Sequence, residues 1–593
     1  VATTAETEPA SAAVDQIRAP GLVSLGERVD RALRYAVPLA TGLVIVGIVL
    51  RFVDPSQLWL DEALSVNIAK LPLGKIPGAL RHDGAPPLYY VLLHFWMLAF
   101  GEGNLAVRAL SGLISVATLP VAWVAGKRLG GRRMAWAALL LLASSPFAIT
   151  YATSTRMYSL MILWSLLGYL ALARALEEPT PRRLACVAGI TAVVLYTHYW
   201  GLYLVAIAGL GLLWRAKRRG PSAASRAGAA TPATTAATAN AATATATPAT
   251  ATAIPATGTA ATATSAAGAS TDGPTLLHVA PALDPADAAR RANWSCFLAM
   301  ALGSLAFLPW LPSFVFQTLH TGTPWSNAAG LGDILTVLSQ YGGSGPWGAA
   351  LGLTLFTLVL LGVFGESIDG HRVLVSVHPR ERARAIAFAF MGTLMLAVAC
   401  GAVAQAAFVG RYTAAVFPLF ILLAGLGATT FADRRVLAVI LAWTVMAGLV
   451  VGSGTNLTPR TEAGKVASVI NKVASPNDVV LYCPDQLGPA VSRLVTAQVE
   501  QFTFPRADPP ERINWVNYRK VIDATNVQQF ADQILTLAAG HDIWFVQNPN
   551  YPGTEHKCSR LMDWLSSRRN SQVWVAANGG TYSEYESLVR FPE

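Results

Sequence analysis

The sequence predicts a polytopic α-helical membrane protein of about 11 spans, followed by a soluble α/β domain. Three observations carry this. Of 593 residues, 53% are hydrophobic and only 13% charged, against about 25% charged in soluble domains. Mean hydropathy is +0.43. Long apolar runs recur up to about residue 454, where short strand and amphipathic-helix patterns take over. The composition excludes a disordered chain, a disulfide scaffold and an ordinary cytosolic enzyme. The net charge is +10. Its Lys and Arg flank the apolar runs, as they do beside membrane spans. There is no zinc-ligand spacing and no basic helical face, so nucleic acid is not an expected partner.

Residues 1–34 read as a disordered cytoplasmic tail, rich in Ala, Thr, Glu and Pro, and not as a signal peptide. The membrane domain is expected over 35–454, beginning with a span at 35–53. Pro86-Pro87 then opens LYYVLLHFWMLAF, an apolar stretch too short for a hydrocarbon core of about 30 Å. It reads as a juxtamembrane helix. Further spans are expected near 109–126, 134–152, 157–173, 184–198, 200–214, 294–312, 347–365, 385–406, 412–430 and 436–452. With the short helix not crossing, 22 Lys and Arg flank the cytoplasmic ends and six the outer ends before the final domain. If it crossed, the bias would reverse. The first loop, the active face and the carboxyl-terminal domain are therefore expected outside a plasma membrane.

Residues 221–271 are almost wholly Ala, Thr, Ser, Pro and Gly. They read as a low-complexity cytoplasmic insert. In the 455–593 domain, VVLYC (479–483) and DIWFVQ (542–547) read as buried strands. QQFADQILTLA and SRLMDWLSS read as amphipathic helices. Cys483 and Cys558 both lie there. They are either a disulfide suited to an oxidising compartment or two buried thiols.

The spans are read as free of acidic and basic side chains, which argues against an ion-coupled transporter and sends the search to the external loops. Asp61 and Glu62 follow the first span in an apolar setting (WLDEA), where a carboxylate serves either as a general base or as a helix cap. Arg81, His82 and Asp83 precede Pro86-Pro87. Arg156 and Tyr158 open one span, His198 sits between two, and Arg411 and Tyr412 open another. Each alone is an ordinary interfacial anchor. Together they bring carboxylates, a histidine and arginines suited to phosphate to one membrane face.

WLDEA, HDGAPPLYYVLLHFW, STRMYSL and RYTAAVFP, in this order, resemble the GT-C superfamily of membrane glycosyltransferases. The nearest branch is that of protein O-mannosyltransferases and aminoarabinose transferases, and the resemblance covers about residues 35–430. It implies transfer of a sugar from a polyprenyl-phosphate donor to a glycan, glycolipid or protein acceptor outside the membrane. Asp61 takes the position of the catalytic carboxylate, with Glu62 beside it. Ala85 stands where aminoarabinose transferases carry a lysine, so mannose is expected ahead of arabinose. Such a donor is already activated, so no cofactor, metal or nucleotide site is expected. Arg411, Arg156 and Arg81 are the expected phosphate ligands. His82, Asp83, Tyr158, His198 and Tyr412 are the expected substrate contacts. A glycan-binding scaffold and a lipid-linked sugar flippase are the alternatives. A scaffold would not need Asp61, and a flippase would need a polar path through the bundle.

Overall fold

In lipid every backbone polar group must be satisfied within the protein, so the apolar runs can only be helices. The computed structural model describes residues 35–217, 284–322, 329–368, 372–404, 407–548, 551–554 and 556–593. The amino-terminal tail and the Ala/Thr insert lie outside the described residues.

The chain runs α1 (Ala36–Leu50), α2 (Leu60–Ala69), α3 (Ile76–Asp83), α4 (Leu88–Phe100), α5 (Asn104–Ser144), α6 (Pro146–Ala152), α7 (Tyr158–Glu177), α8 (Pro181–Thr197) and α9 (Trp200–Lys217). Then come α10 (Pro285–Leu305), α11 (Leu311–His320), α12 (Leu331–Gln340), α13 (Gly345–Phe364), α14 (Glu381–Ala404), α15 (Phe417–Ala428) and α16 (Arg434–Leu457). A short hairpin, β1 (Gly365–Ser367) with β2 (Val373–Val375), joins α13 to α14. Six of the described helices are long and apolar enough to cross a membrane. Among the described residues the expected spans overlap these helices, though not always one helix each.

The α5 helix is two arms. Gly131, at φ 77°, supplies the left-handed turn that reverses the chain. The arms then pack back to back, with Trp123 edge-on to Trp136 at 4.9 Å. The expected 134–152 span breaks at Ser145-Pro146, and 294–312 ends in a 3-10 turn at Leu308–Trp310 before α11. Around α13 and α15 the approach is close: a Cβ at Gly362 or Gly427 would meet the other helix's backbone. This is the small-residue packing expected where lipid supplies no hydrophobic drive between helices.

One expectation fails inside the first span. Arg51 is fully buried there. Its guanidinium donates to Ser115 Oγ at 3.0 Å, to Ala143 O at 2.7 Å, to Leu142 O at 2.8 Å and to Gly47 O at 2.6 Å. Backbone carbonyls, not a carboxylate, make the charge tolerable.

The helices α2, α3, α4 and α11 form a platform at one end of the bundle. On it sits the carboxyl-terminal domain: α17 (Ala463–Val473), β3 (Val479–Cys483), α18 (Gly488–Ser492), β4 (Glu500–Thr503), α19 (Tyr518–Ala524), α20 (Val527–Leu537), β5 (Ile543–Gln547), α21 (Lys557–Ser566), β6 (Gln572–Val575) and β7 (Ser587–Phe591). The sheet order is β4-β3-β5-β7-β6. The β4, β3 and β5 strands are parallel, and β7 and β6 are antiparallel additions. Every residue of β3 and β5 is buried, as continuous apolar strands in a covered parallel sheet should be. Cys483 and Cys558 form a disulfide, Cα to Cα 5.5 Å. The domain docks by α18 against α2, by Asn67 Nδ2 donating to Glu511 O at 2.7 Å, and by Trp515 N donating to His82 O at 3.1 Å.

Candidate active site

The α2 helix begins at Leu60, past the loop that follows α1, and carries both carboxylates of WLDEA. Consecutive helical residues point about 100° apart, so the two face different surroundings. Glu62 is wholly buried. Arg108 grips it with two bonds, Nε to Oε1 at 2.9 Å and Nη2 to Oε2 at 2.6 Å. The Thr155 backbone N–H adds a third at 2.9 Å. Burial pushes this carboxyl up, but the Arg108 charge and hydrogen bonds outweigh it and hold it below the ordinary range. Both oxygens are occupied, so Glu62 holds structure together where a catalytic carboxylate was expected beside Asp61.

Asp61 faces the other way. Its Oδ2 lies 3.8 Å from Arg411 Nη2 and is buried without a hydrogen-bond partner. Arg156 Nη1 reaches the Asp61 carbonyl at 3.3 Å, Ser65 Oγ at 3.1 Å and Tyr90 Oη at 3.4 Å. Tyr90 in turn donates to Asp83 Oδ2 at 3.1 Å. Burial raises the Asp83 carboxyl, though Arg156 and Tyr90 pull it back. Burial opposes the charge of Arg411, yet Asp61 outweighs it and holds the guanidinium firmly protonated.

Aromatic rings wall this centre. His198 lies 5.2 Å from Tyr412 and 6.0 Å from Tyr158, and Arg411 stacks on Tyr412 at 5.5 Å. Burial, with Arg156 and Arg411 nearby, pushes His198 down to about 3. Its imidazole is neutral, and Nδ1 accepts from the Trp200 N–H at 3.1 Å. Three further polar atoms are buried here without a hydrogen-bond partner: Thr155 Oγ1, Arg156 Nε and Tyr158 Oη. Each has unused capacity toward a polar ligand.

The structure therefore brings together Asp61, Asp83, Arg156, Tyr158, His198, Arg411 and Tyr412. It does not bring Arg81, whose guanidinium lies over the Phe316 ring at 4.0 Å, on the outside of the platform. His82 is exposed, with Nδ1 against Gly78 O at 2.9 Å. His82 and Asp83 line a cavity of about 220 Å³ in the seam between α2, α3 and residues 508–514, which adds Asp508, Arg512 and Asn514.

Sequence reasoning missed the supports. Arg460 pairs with Asp54 at 3.0 Å and donates to Ser154 Oγ and Thr153 Oγ1, both at 2.9 Å. Glu584, from the far end of the chain, accepts from the Leu60 N–H at 3.0 Å. Tyr551 is held high chiefly by burial, with Glu584 and Asp61 among the charges it senses. The only sequence signal for the first pair was Asp54 in DPSQLW beside the first span; nothing local marks Glu584 or Tyr551.

Residues 84–237 match the family model for dolichyl-phosphate-mannose-protein mannosyltransferases. No curated protein sequence matches the chain. Among solved structures, ArnT from Cupriavidus metallidurans in the apo state is similar in fold, with a TM-score of 0.53 at 11% identity over 94% of this chain and 98% of that one. The same enzyme bound to undecaprenyl phosphate gives 0.48 at 11% identity over 94% and 97%. The Archaeoglobus fulgidus oligosaccharyltransferase gives 0.44 at 10% identity over 85% and 67%.

Proposed function

We propose that this chain is a membrane glycosyltransferase of the GT-C superfamily, and that it moves a sugar, mannose ahead of arabinose, from a polyprenyl-phosphate donor to an acceptor hydroxyl outside the plasma membrane. One observation carries the reading: the Asp61 carboxylate faces Arg411 and lies beside Arg156 in a centre walled by aromatic rings. The acceptor oxygen attacks the anomeric carbon as Asp61 takes its proton. The anomeric carbon–oxygen bond to phosphate breaks, and its electron pair leaves with the lipid phosphate. Arg411 and Arg156 meet the charge that develops there. Fixed cations in a partly dehydrated cleft are worth most at that moment. A single displacement inverts the anomeric centre. The neutral His198 and the rings of Tyr158 and Tyr412 line the sugar's side. The acceptor enters through the polar seam cavity at Asp83. The disulfide in the carboxyl-terminal domain supports the outer placement, since such bonds persist in oxidising compartments.

The test is transfer from radiolabelled polyprenyl-phosphate mannose into membranes that contain the wild-type protein, the Asp61→Asn variant or neither. Transfer dependent on Asp61 supports the reading. Equal incorporation with wild type and Asp61→Asn overturns it. A parallel donor carrying arabinose tests the sugar.

A further inference from the structure

We propose that the carboxyl-terminal domain is a working part of the catalytic centre, with Glu584 as a positioning residue that caps, from a distance of 524 residues, the helix carrying Asp61. This rests on the reading of Asp61 as the base. A helix leaves its first backbone N–H groups without intrahelical partners, and Ser, Thr, Asp or Asn at the N-cap ordinarily meets one of them. The N-cap of α2 is Trp59, whose side chain makes no capping bond. Glu584 Oε2 supplies the missing acceptor to Leu60.

Glu584 is itself held. Its N–H donates to Arg460 O at 2.8 Å, and its carbonyl accepts from the Glu462 N–H at 3.2 Å. Arg460 is anchored to the bundle through Asp54, Thr153 and Ser154. Asp61 thus sits between two fixed neighbours. The domain holds Leu60, and the bundle holds Glu62 through Arg108 and Thr155. Burying a polar group without a hydrogen-bond partner is costly, and Glu584 Oε1 has none. The chain carries that cost at the residue next to Asp61. A displacement of about 1 Å at a reacting group can cost about 10²-fold in rate.

The test uses the full-length protein in lipid nanodiscs with polyprenyl-phosphate mannose as donor. Glu584→Ala removes the acceptor for the Leu60 N–H, and Glu584→Gln keeps a carbonyl oxygen there without charge. Glu584→Ala is expected to lower kcat by about 10- to 100-fold with the donor KM nearly unchanged, and Glu584→Gln to recover most of it. Hydrogen exchange of the peptide spanning residues 58–64 should quicken in Glu584→Ala and not in Glu584→Gln, whichever sugar is used. Wild-type turnover and exchange in Glu584→Ala overturn the proposal. So does a Glu584→Gln protein that keeps slow exchange yet is as inactive as Glu584→Ala, since charge rather than capping would then matter. Asp61→Asn, measured alongside, separates the two readings. If it stays active while Glu584→Ala still quickens exchange, the base assignment falls and the cap stands.

Discussion

Two buried carboxylates hold the two sides of Asp61, and the protein treats them differently. The bundle neutralises Glu62 with a bidentate arginine. The carboxyl-terminal domain sets Glu584 against a helix end, where its side chain accepts from the Leu60 N–H. Burial pushes the Glu584 carboxyl up to about 8, with the nearby Asp61 and Glu62 charges adding to it, and the Leu60 N–H opposes the shift without reversing it. Glu62 stays ionised by contrast. The difference teaches that one anchor is a permanent weld made within the membrane domain, while the other is a docking contact that can titrate.

The harshest way to probe this pair is to remove what lies between them. Asp61→Asn keeps shape and removes the proposed proton acceptor, so single-turnover transfer should fall by about 10²- to 10⁴-fold, with binding of the polyprenyl-phosphate donor preserved. Glu62→Gln in the same assay should retain turnover wherever the protein folds. A dead but folded Glu62→Gln would exchange the roles of the two residues.

Next in size is the weld itself. Arg108→Met leaves Glu62 buried without its cation, a change that costs about 3–5 kcal/mol in comparable pairs. Thermal unfolding in detergent should show a large loss, partly recovered by adding Glu62→Gln. Unchanged melting of the single variant would remove Arg108–Glu62 as an anchor.

The docking side depends on the integrity of its own domain. The Cys483–Cys558 bond spans 75 residues, and closing a loop of that length stabilises by about 4 kcal/mol in the chain-entropy model. Replacing both cysteines with alanine should expose the domain to limited proteolysis while the bundle remains resistant. Equal resistance of both halves would mean that the bond adds little to the fold.

The smallest effect is the most diagnostic. Glu584 is raised above the ordinary glutamate value of 4.5, so its contribution is fully present below that value and is lost as pH rises through about 8. Glu62 is lowered, so its contribution is present above the unfolded value and is lost on acidification. Hydrogen exchange at the seam, taken relative to the intrinsic base-catalysed rate at each pH, should therefore quicken between pH 6 and pH 9 in the wild type, and Glu584→Gln should flatten that slope. A seam that loosens only in acid would reverse the assignment.

The membrane half of this centre was legible because its residues sit in short motifs beside apolar runs. Asp61, Arg156, Tyr158, His198, Arg411 and Tyr412 could be gathered on one face from charge bias alone. The strands at 479–483 and 542–547 were equally plain, since continuous apolar runs of that length bounded by turns have few other uses. Arg81 misled because a guanidinium near a Pro-Pro turn looks the same whether it meets phosphate or the ring of Phe316. Glu62 misled because a carboxylate paired across 46 residues leaves no local trace. Arg460, Tyr551 and Glu584 were invisible for the same reason: their partners are set by how the domain docks, and docking has no periodicity to read.

Arg51 has a consequence for how the chain is made. Its side chain is a buried cation near the end of the first span, and its partners at Leu142 and Ala143 lie 91 and 92 residues later. Leaving a guanidinium unsatisfied within the bilayer is expensive. When the ribosome has delivered only α1, those carbonyls do not yet exist. The first span on its own therefore keeps the Gly47 carbonyl as a partner for Arg51 but lacks the two carbonyls that the hairpin turning at Gly131 brings beside it. A truncation before residue 142 removes those two acceptors and is expected to leave the first span more loosely inserted than in the full chain.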